Sequence, residues 1–473
     1  MNLYIHTIGC QMNVYDSEQI ALRLQAMGYQ QTDRQGNADL ILLNTCAIRD
    51  KAEQKVFSYL GRLAELKAQK PSLIIGVGGC VAQQEGRKIL SRVPFVDLVF
   101  GTRSLDRLPA LIHTVQAGKG PVVDVDMTDT LGGLAAAIPE SAQAGICRFV
   151  TVMRGCDNYC NYCVVPYVRG AETSRAPQTI IDEIQGLANA GVREVTLLGQ
   201  NVNSYGKKEG FCDFAELLER VSHIDGICRI RFTTSHPKDL SDRLITTFAD
   251  LEKLCHHIHL PVQAGSDTVL RRMNRKYTRD AYLERIRRIR AACPGIAVTS
   301  DFIVGFPGET DDDFQQTLDL IRTVGYDGLF AFKYSDRPLA PAAKFPEKVS
   351  EAVKKDRLGQ LLALQEKNTF RRNGDLVGTV QTVLVERRGR RLPALEGEGD
   401  PWTGRTSGNK VVNFIWDVRG GAGTEPAPGR LVDVTIQRAL AHSLWGMPVT
   451  GTESTAPGEV DAACGSFAQK MAG

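Results

Sequence analysis

Short, continuous apolar runs alternate with amphipathic stretches along the first part of the chain. The runs are typical of buried parallel strands, and they cover residues 3–8, 39–45 and 73–79. The stretches between them, near residues 15–27 and 50–69, have apolar positions at helical spacing. This alternation predicts a doubly wound α/β domain over residues 1–115.

A second series of strand and helix patterns begins at residue 148. It follows a segment, residues 116–147, that is rich in Gly, Ala, Pro and Asp and that we interpret as a linker. The strand candidates of this series cover residues 149–155, 194–200, 228–234, 257–262, 297–306 and 328–334. Six strand–helix units predict a partial (β/α)6 barrel over residues 148–375, with its chemistry at the C-terminal ends of the strands.

The remaining sequence has a different pattern. β-branched residues and turns dominate residues 376–445 and predict a small antiparallel β-barrel, whereas residues 446–473 are small and polar and are predicted to be disordered. The net charge is only +3, so any nucleic-acid surface must be a local patch. We find neither a secretory signal nor an apolar run of the ~20 residues that span a bilayer, and we therefore expect a cytoplasmic protein without membrane contact.

Three of the twelve cysteines lie on one short loop after the first strand of the predicted barrel. Cys156, Cys160 and Cys163 have the spacing C-x3-C-x2-C, and Tyr162 directly precedes the last of them. Three thiolates can bind three irons of a 4Fe–4S cluster and leave the fourth iron to S-adenosylmethionine, which an electron from the cluster cleaves to a radical. The alternative is a zinc site, but such sites usually need four protein ligands, and no fourth Cys or His is close in sequence.

A second set of cysteines belongs to the first domain. Cys10, Cys46 and Cys80 each follow a strand candidate. Because the C-terminal ends of parallel strands lie on one edge of a sheet, these thiols are predicted to converge and to hold an auxiliary 4Fe–4S cluster. The alternative is three buried cysteines that behave as small hydrophobic residues.

Five long motifs resemble those of the radical methylthiotransferases, and they cover residues 7–18, 155–175, 197–206, 259–278 and 301–310. The resemblance extends from residue 3 to about residue 445. It implies an N-terminal domain with an auxiliary cluster, a radical S-adenosylmethionine (radical SAM) barrel and a C-terminal RNA-binding β-barrel known as the TRAM domain.

The same resemblance implies a substrate and a reaction. S-adenosylmethionine would serve both as methyl donor and as radical source, and the product would carry a methylthio group on C2 of a prenylated adenosine at position 37 of tRNA. The segments at residues 10–13 and 199–203 favour this branch over two others. One of those branches modifies threonylcarbamoyladenosine in tRNA, and the other modifies an aspartate of a ribosomal protein.

Residues at the ends of the barrel strands are candidates for binding S-adenosylmethionine. Tyr162 is a candidate for stacking on its adenine. Polar side chains after the second and fourth strands are candidates for holding its methionine part, namely Gln200, Asn201, Gln263 and Ser266. The alternative roles are packing for Tyr162 and N-caps or turns for the polar residues. His236 is predicted to be a turn or capping residue rather than a base.

Residues 271–290 contain nine Lys and Arg residues against two acidic ones. Since affinity for tRNA comes largely from neutralised phosphates, part of this stretch is predicted to contact RNA, namely Arg271, Arg272, Arg275 and Lys276. The alternative is a solvated helix face. Arg405 is added because residues 404–414 resemble the signature of the TRAM domain.

We therefore expect a tRNA methylthiotransferase that uses two 4Fe–4S clusters and S-adenosylmethionine. The expected partners are tRNA, an external flavodoxin-like electron donor, and proteins of iron–sulfur assembly and sulfur delivery, and the protein is expected to be a monomer. A competing hypothesis from another class is a non-catalytic iron–sulfur electron carrier with an RNA-binding module, which reductive cleavage of S-adenosylmethionine would exclude.

Overall fold

The computed structural model describes residues 1–47, 50–127, 138, 145–389, 399–416 and 426–449, and of residues 50–53 only the backbone. Most of the segment that is predicted to be disordered, residues 450–473, lies outside the described residues. Among the described residues, no helix has the length and the apolar character that a membrane crossing requires.

A parallel sheet forms the first part of the molecule. Its strands are β1 (Asn2–Ile8), β2 (Gln30–Gln31), β3 (Leu40–Thr45), β4 (Ile74–Gly79), β5 (Leu98–Phe100) and β6 (Val122–Asp124). Their order in the sheet is β2-β1-β3-β4-β5-β6. The connecting helices are α1 (Gln11–Gln25), α2 (Asp50–Gln69), α3 (Cys80–Glu85), α4 (Lys88–Arg92) and α5 (Leu108–Gln116).

Both faces of this sheet are covered, as the predicted doubly wound fold requires. Alternate residues of β3 point to opposite faces, so that Leu40 and Leu42 pack in one apolar cluster and Ile41 and Leu43 in another. Strand β6 lies in the segment that we interpreted as a linker. The sequence analysis missed it because a strand of three residues is too short to show a periodic pattern.

Six strands form the open barrel of the second part: β7 (Cys147–Thr151), β10 (Glu194–Leu198), β11 (Arg229–Phe232), β12 (His257–His259), β13 (Ala297–Val304) and β14 (Gly328–Lys333). They make two parallel sheets, ordered β11-β10-β7 and β12-β13-β14, and a bridge between Ile230 and Leu254 joins them. A short antiparallel pair, β8 (Met153–Arg154) and β9 (Thr173–Ser174), flanks the barrel. This is the predicted partial barrel.

The helices of the second part surround the open barrel. They are α6 (Val165–Arg169), α7 (Pro177–Asn189), α8 (Phe214–Ser222), α9 (Asp242–Asp250), α10 (Asp267–Arg272), α11 (Arg279–Ala292), α12 (Asp311–Val324) and α13 (Glu351–Gly374). The outward-facing residues of the strands and the inner faces of the helices form one large apolar core. This packing fixes the strand ends, where the chemistry of such a barrel lies.

A small closed barrel follows. Its strands are β15 (Val380–Arg388), β16 (Asp400–Thr406), β17 (Val411–Trp416), β18 (Leu431–Ala439) and β19 (Leu444–Pro448), in the order β15-β16-β17-β19-β18. The pairing of β17 with β19 is parallel, which corrects the description of this barrel as antiparallel for that one pair. Alternating apolar positions predict strands but not their partners, and β19 also extends into the segment assigned to the tail.

The turn between β16 and β17 packs against the N-terminal ends of the open-barrel strands. Arg229 donates hydrogen bonds to the carbonyl oxygens of Arg405 at 2.5 Å and Thr382 at 2.7 Å. Arg231 donates to the carbonyl oxygen of Ser407 at 2.9 Å. Because a buried guanidinium is costly without acceptors, these bonds fix the small barrel at this end of the open barrel. The C-terminal strand ends remain on the opposite side.

Candidate active site

The three cysteines of the N-terminal sheet follow neighbouring strands that end at one level. Strands β1, β3 and β4 are adjacent, and Ile8 pairs with Thr45 at the last position of β1 and β3. Cys10 directly precedes α1, Cys46 follows β3, and Cys80 is the first residue of α3. The parallel topology therefore brings the three positions to one edge of the sheet, as the sequence predicts.

Asn13 fixes the loop that carries Cys10. Its Nδ2 donates to Asn44 Oδ1 at 2.9 Å and to the Thr45 carbonyl at 3.0 Å, and Asn44 Nδ2 donates back to the Asn13 carbonyl at 2.9 Å. The Cys10 thiol donates to Asn13 Oδ1 at 3.3 Å. Sequence reasoning missed Asn13. Its position three residues after Cys10, in the first turn of a helix, was the available signal.

The thiols of this set interact with one another and with a buried cation. A hydrogen bond with Cys46 lowers the pKa of Cys10 to about 6. Burial raises the pKa of the Cys80 thiol, and the nearby Arg169 guanidinium opposes this rise. Arg169 also forms an ion pair with Asp16 at 3.0 Å. Cys10, Cys46 and Cys80 thus share one buried site beside a guanidinium.

The second set of cysteines lies on the loop between β8 and α6. The backbone N–H of Cys163 donates to the Cys160 carbonyl at 2.9 Å, and the Cys163 sulfur accepts from Val165 N at 3.4 Å, at the start of α6. Burial is the largest cause that raises the pKa of Cys156 to about 11 and that of Cys163 to about 12, and the nearby Cys160 contributes to both shifts. The three thiols therefore lie close enough to influence one another's protonation.

Arg275 lies under this loop, so its assignment to the RNA surface was wrong. Its side chain is buried, its Nη1 lies 3.5 Å from the Cys160 sulfur, and it donates to the Tyr162 hydroxyl at 3.2 Å. The assignment was based on the density of positive charge in the stretch. In the structure the chain turns at Asn274 and Lys276, which both have φ of +59°, and Arg275 points inward.

Beyond the ends of β10 and β11, buried atoms of four polar side chains have no hydrogen-bond partner among the described residues: Gln200 Nε2, both side-chain polar atoms of Asn203, Ser235 Oγ and His236 Nε2. Buried polar groups are rarely left unpaired, so this cluster fits a polar ligand at the strand ends. Sequence reasoning identified Gln200 but missed Asn203 and Ser235. His236 Nδ1 accepts from the backbone of Lys238 at 3.3 Å, as predicted for a capping residue.

The other polar candidates are engaged by the protein itself. Asn201 Nδ2 donates to Asp239 at 2.8 Å, and the Ser266 hydroxyl donates to Asp313. Gln263 has φ of +79°, and its backbone bridges to β13. Asn201 and Ser266 lie at N-cap positions, but neither side chain makes a capping hydrogen bond. Contact with S-adenosylmethionine stays a prediction for all three residues.

Two of the predicted RNA contacts are well exposed. Arg271 and Lys276 lie at the surface, and no acidic side chain within the described ranges pairs with either of them. Arg272 and Arg405 form ion pairs with glutamates, each at 2.9 Å. The exposed positive charge is therefore smaller than the sequence count indicates.

The inner face of β14 carries aromatic side chains that the sequence analysis did not select. Phe330 is 59% exposed and Phe332 is 39% exposed, while the alternate residues of the strand pack on the core. The Phe330 ring lies 6.3 Å from the ring of His259, and Phe330 pairs across the sheet with Asp301. The inside of the open barrel thus offers an aromatic surface beside polar groups.

Both cysteine sets fit a 4Fe–4S cluster. Within the described residues, no three Cys, His, Asp or Glu side chains are already close enough to bind one metal ion together. A 4Fe–4S cluster does not require this, because each thiolate binds a different iron. The soft sulfur donors match iron–sulfur chemistry, and the thiols of each set lie close enough to shift one another's pKa. The open strand ends beside the second set supply the unpaired polar atoms that a further ligand needs.

Comparison with known families agrees with this architecture. Residues 2–101 match the model described as uncharacterized protein family UPF0004, residues 150–321 match the radical SAM superfamily, and residues 375–449 match the TRAM domain. A solved structure of the radical S-adenosylmethionine methyltransferase TsrM from Kitasatospora setae is similar in fold, with a TM-score of 0.53 and 13% identity over 72% of this chain and 75% of that one. The protein is thus a radical SAM protein, a class that implies a 4Fe–4S cluster and S-adenosylmethionine.

Proteins of similar sequence indicate which family of radical SAM proteins this chain belongs to. A relative from Desulfosudis oleivorans is 54% identical over 97% of this chain and 99% of its own length. A relative from Geobacter metallireducens is 52% identical over 94% of this chain and 97% of its own length. Both are named tRNA-2-methylthio-N(6)-dimethylallyladenosine synthase. The chain belongs to this family.

Proposed function

We propose that the protein transfers a methylthio group to C2 of N6-dimethylallyladenosine at position 37 of tRNA. The observation that carries the proposal is the presence of two cysteine sets, one on the radical SAM barrel and one on the edge of a separate sheet. A short helix, α6, begins at the first set and ends at the second. A radical SAM enzyme with a single cluster would need only the set in the barrel.

The reaction explains why two sites are needed. The C2–H bond of an adenine is unactivated, so a positioned acid or base does not readily replace its hydrogen by sulfur. When bound, the two clusters and S-adenosylmethionine supply methyl transfer and a radical. The protein has to bind these groups, hold the adenine near them and exclude water.

Different residues of the chain would bind the two clusters and S-adenosylmethionine. Cys156, Cys160 and Cys163 would hold the cluster that binds S-adenosylmethionine, and the unpaired polar atoms around Gln200 and Ser235 would bind the latter's polar groups. The cysteines that follow β1, β3 and β4 would hold the auxiliary cluster. Both sets are largely buried, which protects a radical from solvent.

We infer that the adenine enters the open barrel beside Phe330 and Phe332. Phe330 leaves more than half of its surface exposed on the inner face of the strand, and single RNA bases are commonly bound by stacking on such aromatic side chains. His259 and Asp301 lie next to Phe330 and offer hydrogen-bonding groups for the edge of the base. An apolar prenyl group would also favour these rings over water.

The proposal implies partners as well. The cluster in the barrel needs an external electron donor, for which a flavodoxin-like protein is suitable, and the inserted sulfur needs a source among proteins of sulfur delivery. Such partners, iron–sulfur assembly proteins and the tRNA substrate place the proposed activity in the cytoplasm. We propose a monomer as the active form.

The test is nucleoside mass spectrometry of tRNA from a strain whose own gene for this modification is deleted. Expression of the protein should restore 2-methylthio-N6-dimethylallyladenosine, and expression of a Cys156→Ala variant should not. Absence of the product in tRNA, together with a methylthio group on threonylcarbamoyladenosine or on a ribosomal protein, would assign the protein to another branch.

A further inference from the structure

The two cysteine sets are joined by the five residues of α6. Its first N–H group donates to the Cys163 sulfur at 3.4 Å. Its last residue, Arg169, reaches the other domain, where its guanidinium pairs with Asp16 at 3.0 Å and lies near Cys80 and Cys10. Between these ends Val168 packs with Cys80 in one apolar cluster. One turn of helix therefore begins two residues after a ligand candidate of one set and ends at a cation beside the other.

The backbone of Arg169 is fixed by the first domain. Arg103 donates two hydrogen bonds to the Arg169 carbonyl, at 3.0 and 3.1 Å, and Thr102 donates to the Val168 carbonyl at 2.7 Å. The guanidinium is also fixed, since it is 4% exposed and pairs with Asp16 at 3.0 Å. Its position relative to the cysteines is thus determined by several contacts.

The local charges do not balance without the cysteines. Asp16 is shared by two guanidinium groups, since Arg154 lies 3.8 Å from its second oxygen. The neighbouring Arg175 has its own carboxylate, Glu183, at 2.6 Å. Within the part of the chain that the structure describes, one positive charge is therefore left over beside Cys10 and Cys80. Buried charges need a partner of opposite sign, and thiolates that bind iron are such a partner.

We propose that Arg169 is a positioning residue of the auxiliary site, which donates an N–H···S hydrogen bond to Cys80 and raises the reduction potential of the cluster bound there, with Asp16 orienting it. Hydrogen bonds to the sulfurs and nearby charge are among the factors that set such potentials. A fixed cation favours the more negatively charged, reduced form, so its removal shifts the potential to a more negative value. This inference rests on the auxiliary cluster of the proposed function.

The test uses full-length protein in which Cys156, Cys160 and Cys163 are all changed to Ala, so that only the auxiliary cluster is present. A potentiometric titration followed by electron paramagnetic resonance gives its midpoint potential. Arg169→Gln should shift the midpoint to a more negative value. Arg169→Lys, which keeps the charge but loses the planar fork, should give a smaller shift in the same direction. Asp16→Asn should change the shape of the signal.

The matched control is Arg148→Gln. Arg148 pairs with Glu18 at 2.8 Å, where α1 packs on β7, and this is another ion pair between the same two domains. This change should leave the midpoint and the signal unaltered. A merely structural role for Arg169 would destabilise the protein without moving the potential of the cluster that remains.

Two results would overturn the inference in distinguishable ways. An unchanged midpoint in Arg169→Gln, with normal iron content, would reject the role of Arg169 alone. If Arg169→Gln binds no iron, the Arg169→Lys variant is measured instead. A midpoint potential equal to that of the parent protein in Arg169→Lys would reject the positioning role of Arg169. If the parent protein with Arg169 intact binds no iron, the auxiliary cluster and the proposed function fail together with it.

Discussion

At the scale of single residues, Gly9 lies where the loop before α1 packs closely against Asn13 and Cys46 in the auxiliary site. A Cβ at this position would lie 2.6 Å from Asn13 Oδ1 and 2.9 Å from the Cys46 Cβ. Both distances are too short for real atoms, so either Asn13 or Cys46 would have to move. The absence of a side chain at Gly9 therefore keeps two of the strand ends together.

This crowding makes Gly9→Ala a test of the site that changes no cysteine. Overpacking of this kind costs about 1–3 kcal/mol, and the displaced Cys46 should weaken the auxiliary cluster. Iron in the reconstituted protein should fall from about eight to about four atoms per chain. Gly36→Ala is the control, since a Cβ there meets no atom within 4 Å, and it should retain all the iron. Full iron content in Gly9→Ala would contradict the assignment.

Burial is the property of single residues that the sequence could not supply. Arg275 and Lys276 are adjacent in a basic run, yet one lies under the cysteine loop and the other lies at the surface. Charge alone does not distinguish them, because the difference arises from backbone turns on both sides of Arg275. Ser235 likewise becomes a candidate ligand-binding residue only when the structure shows that its buried hydroxyl lies unpaired among the described residues, beside the neighbouring strand ends.

At the scale of elements, β14 is the strand whose exposed aromatic side chains are proposed to contact the adenine of the substrate. Phe330→Ala should reduce methylthiolation of tRNA by about 5- to 150-fold in kcat/KM, since stacking of one base on an aromatic ring contributes about 1–3 kcal/mol. Iron content and cleavage of S-adenosylmethionine without tRNA should stay at the wild-type level. Kinetic assays with purified tRNA provide the measurement.

A matched control for this change is Phe370→Ala. Phe370 is 61% exposed, close to the 59% of Phe330, but it lies on α13 outside the barrel. Its removal should leave kcat/KM unaltered. Equal effects of the two substitutions would mean that the loss of an exposed ring, and not its place inside the barrel, lowers activity.

The basic stretch is divided between two helices, and much of its charge is already paired. Arg279, Arg287 and Arg288 form ion pairs at 2.5, 2.6 and 2.7 Å. Arg271 and Lys276 are exposed, and the described residues place no acidic side chain against them. Any contribution of this stretch to tRNA binding should therefore come mainly from the latter two.

A comparison of two double variants tests this expectation. Arg271→Ala with Lys276→Ala should weaken tRNA binding and lower the slope of log affinity against log salt by roughly one to two units. Arg287→Ala with Arg288→Ala removes the same charge from paired positions and should have a smaller effect. Binding titrations at several salt concentrations give both slopes. If the two variants behave alike, the RNA surface lies elsewhere.

The sequence predicted the position of the cysteines well because each follows a strand of a parallel sheet. The cysteine after each of β1, β3 and β4 was recognisable because parallel strands place such positions together. Strands β2, β5 and β6 of the first domain were missed, and the parallel pairing of β17 with β19 was not foreseen. Short strands carry little periodicity, and strand partners depend on contacts between residues distant in sequence.

At the scale of the whole molecule, the two ends of the open barrel have separate tasks. The small closed barrel is fixed at the N-terminal strand ends by Arg229 and Arg231. Both cysteine sets lie at the other side, where α6 connects them. The order of the three parts along the sequence was predictable, but this arrangement was not, since it depends on hydrogen bonds such as that between Arg229 and the Arg405 carbonyl, more than 170 residues apart.

The central claim is that the two cysteine sets hold two clusters with different tasks. The most direct measurement is liquid chromatography with mass spectrometry of one reaction mixture, which quantifies 5′-deoxyadenosine and the methylthiolated nucleoside together. Replacement of Cys10, Cys46 and Cys80 by Ala should leave some 5′-deoxyadenosine but abolish the methylthio product. Replacement of Cys156, Cys160 and Cys163 by Ala should abolish both. Methylthiolated nucleoside from the first variant, or 5′-deoxyadenosine from the second, would contradict this division.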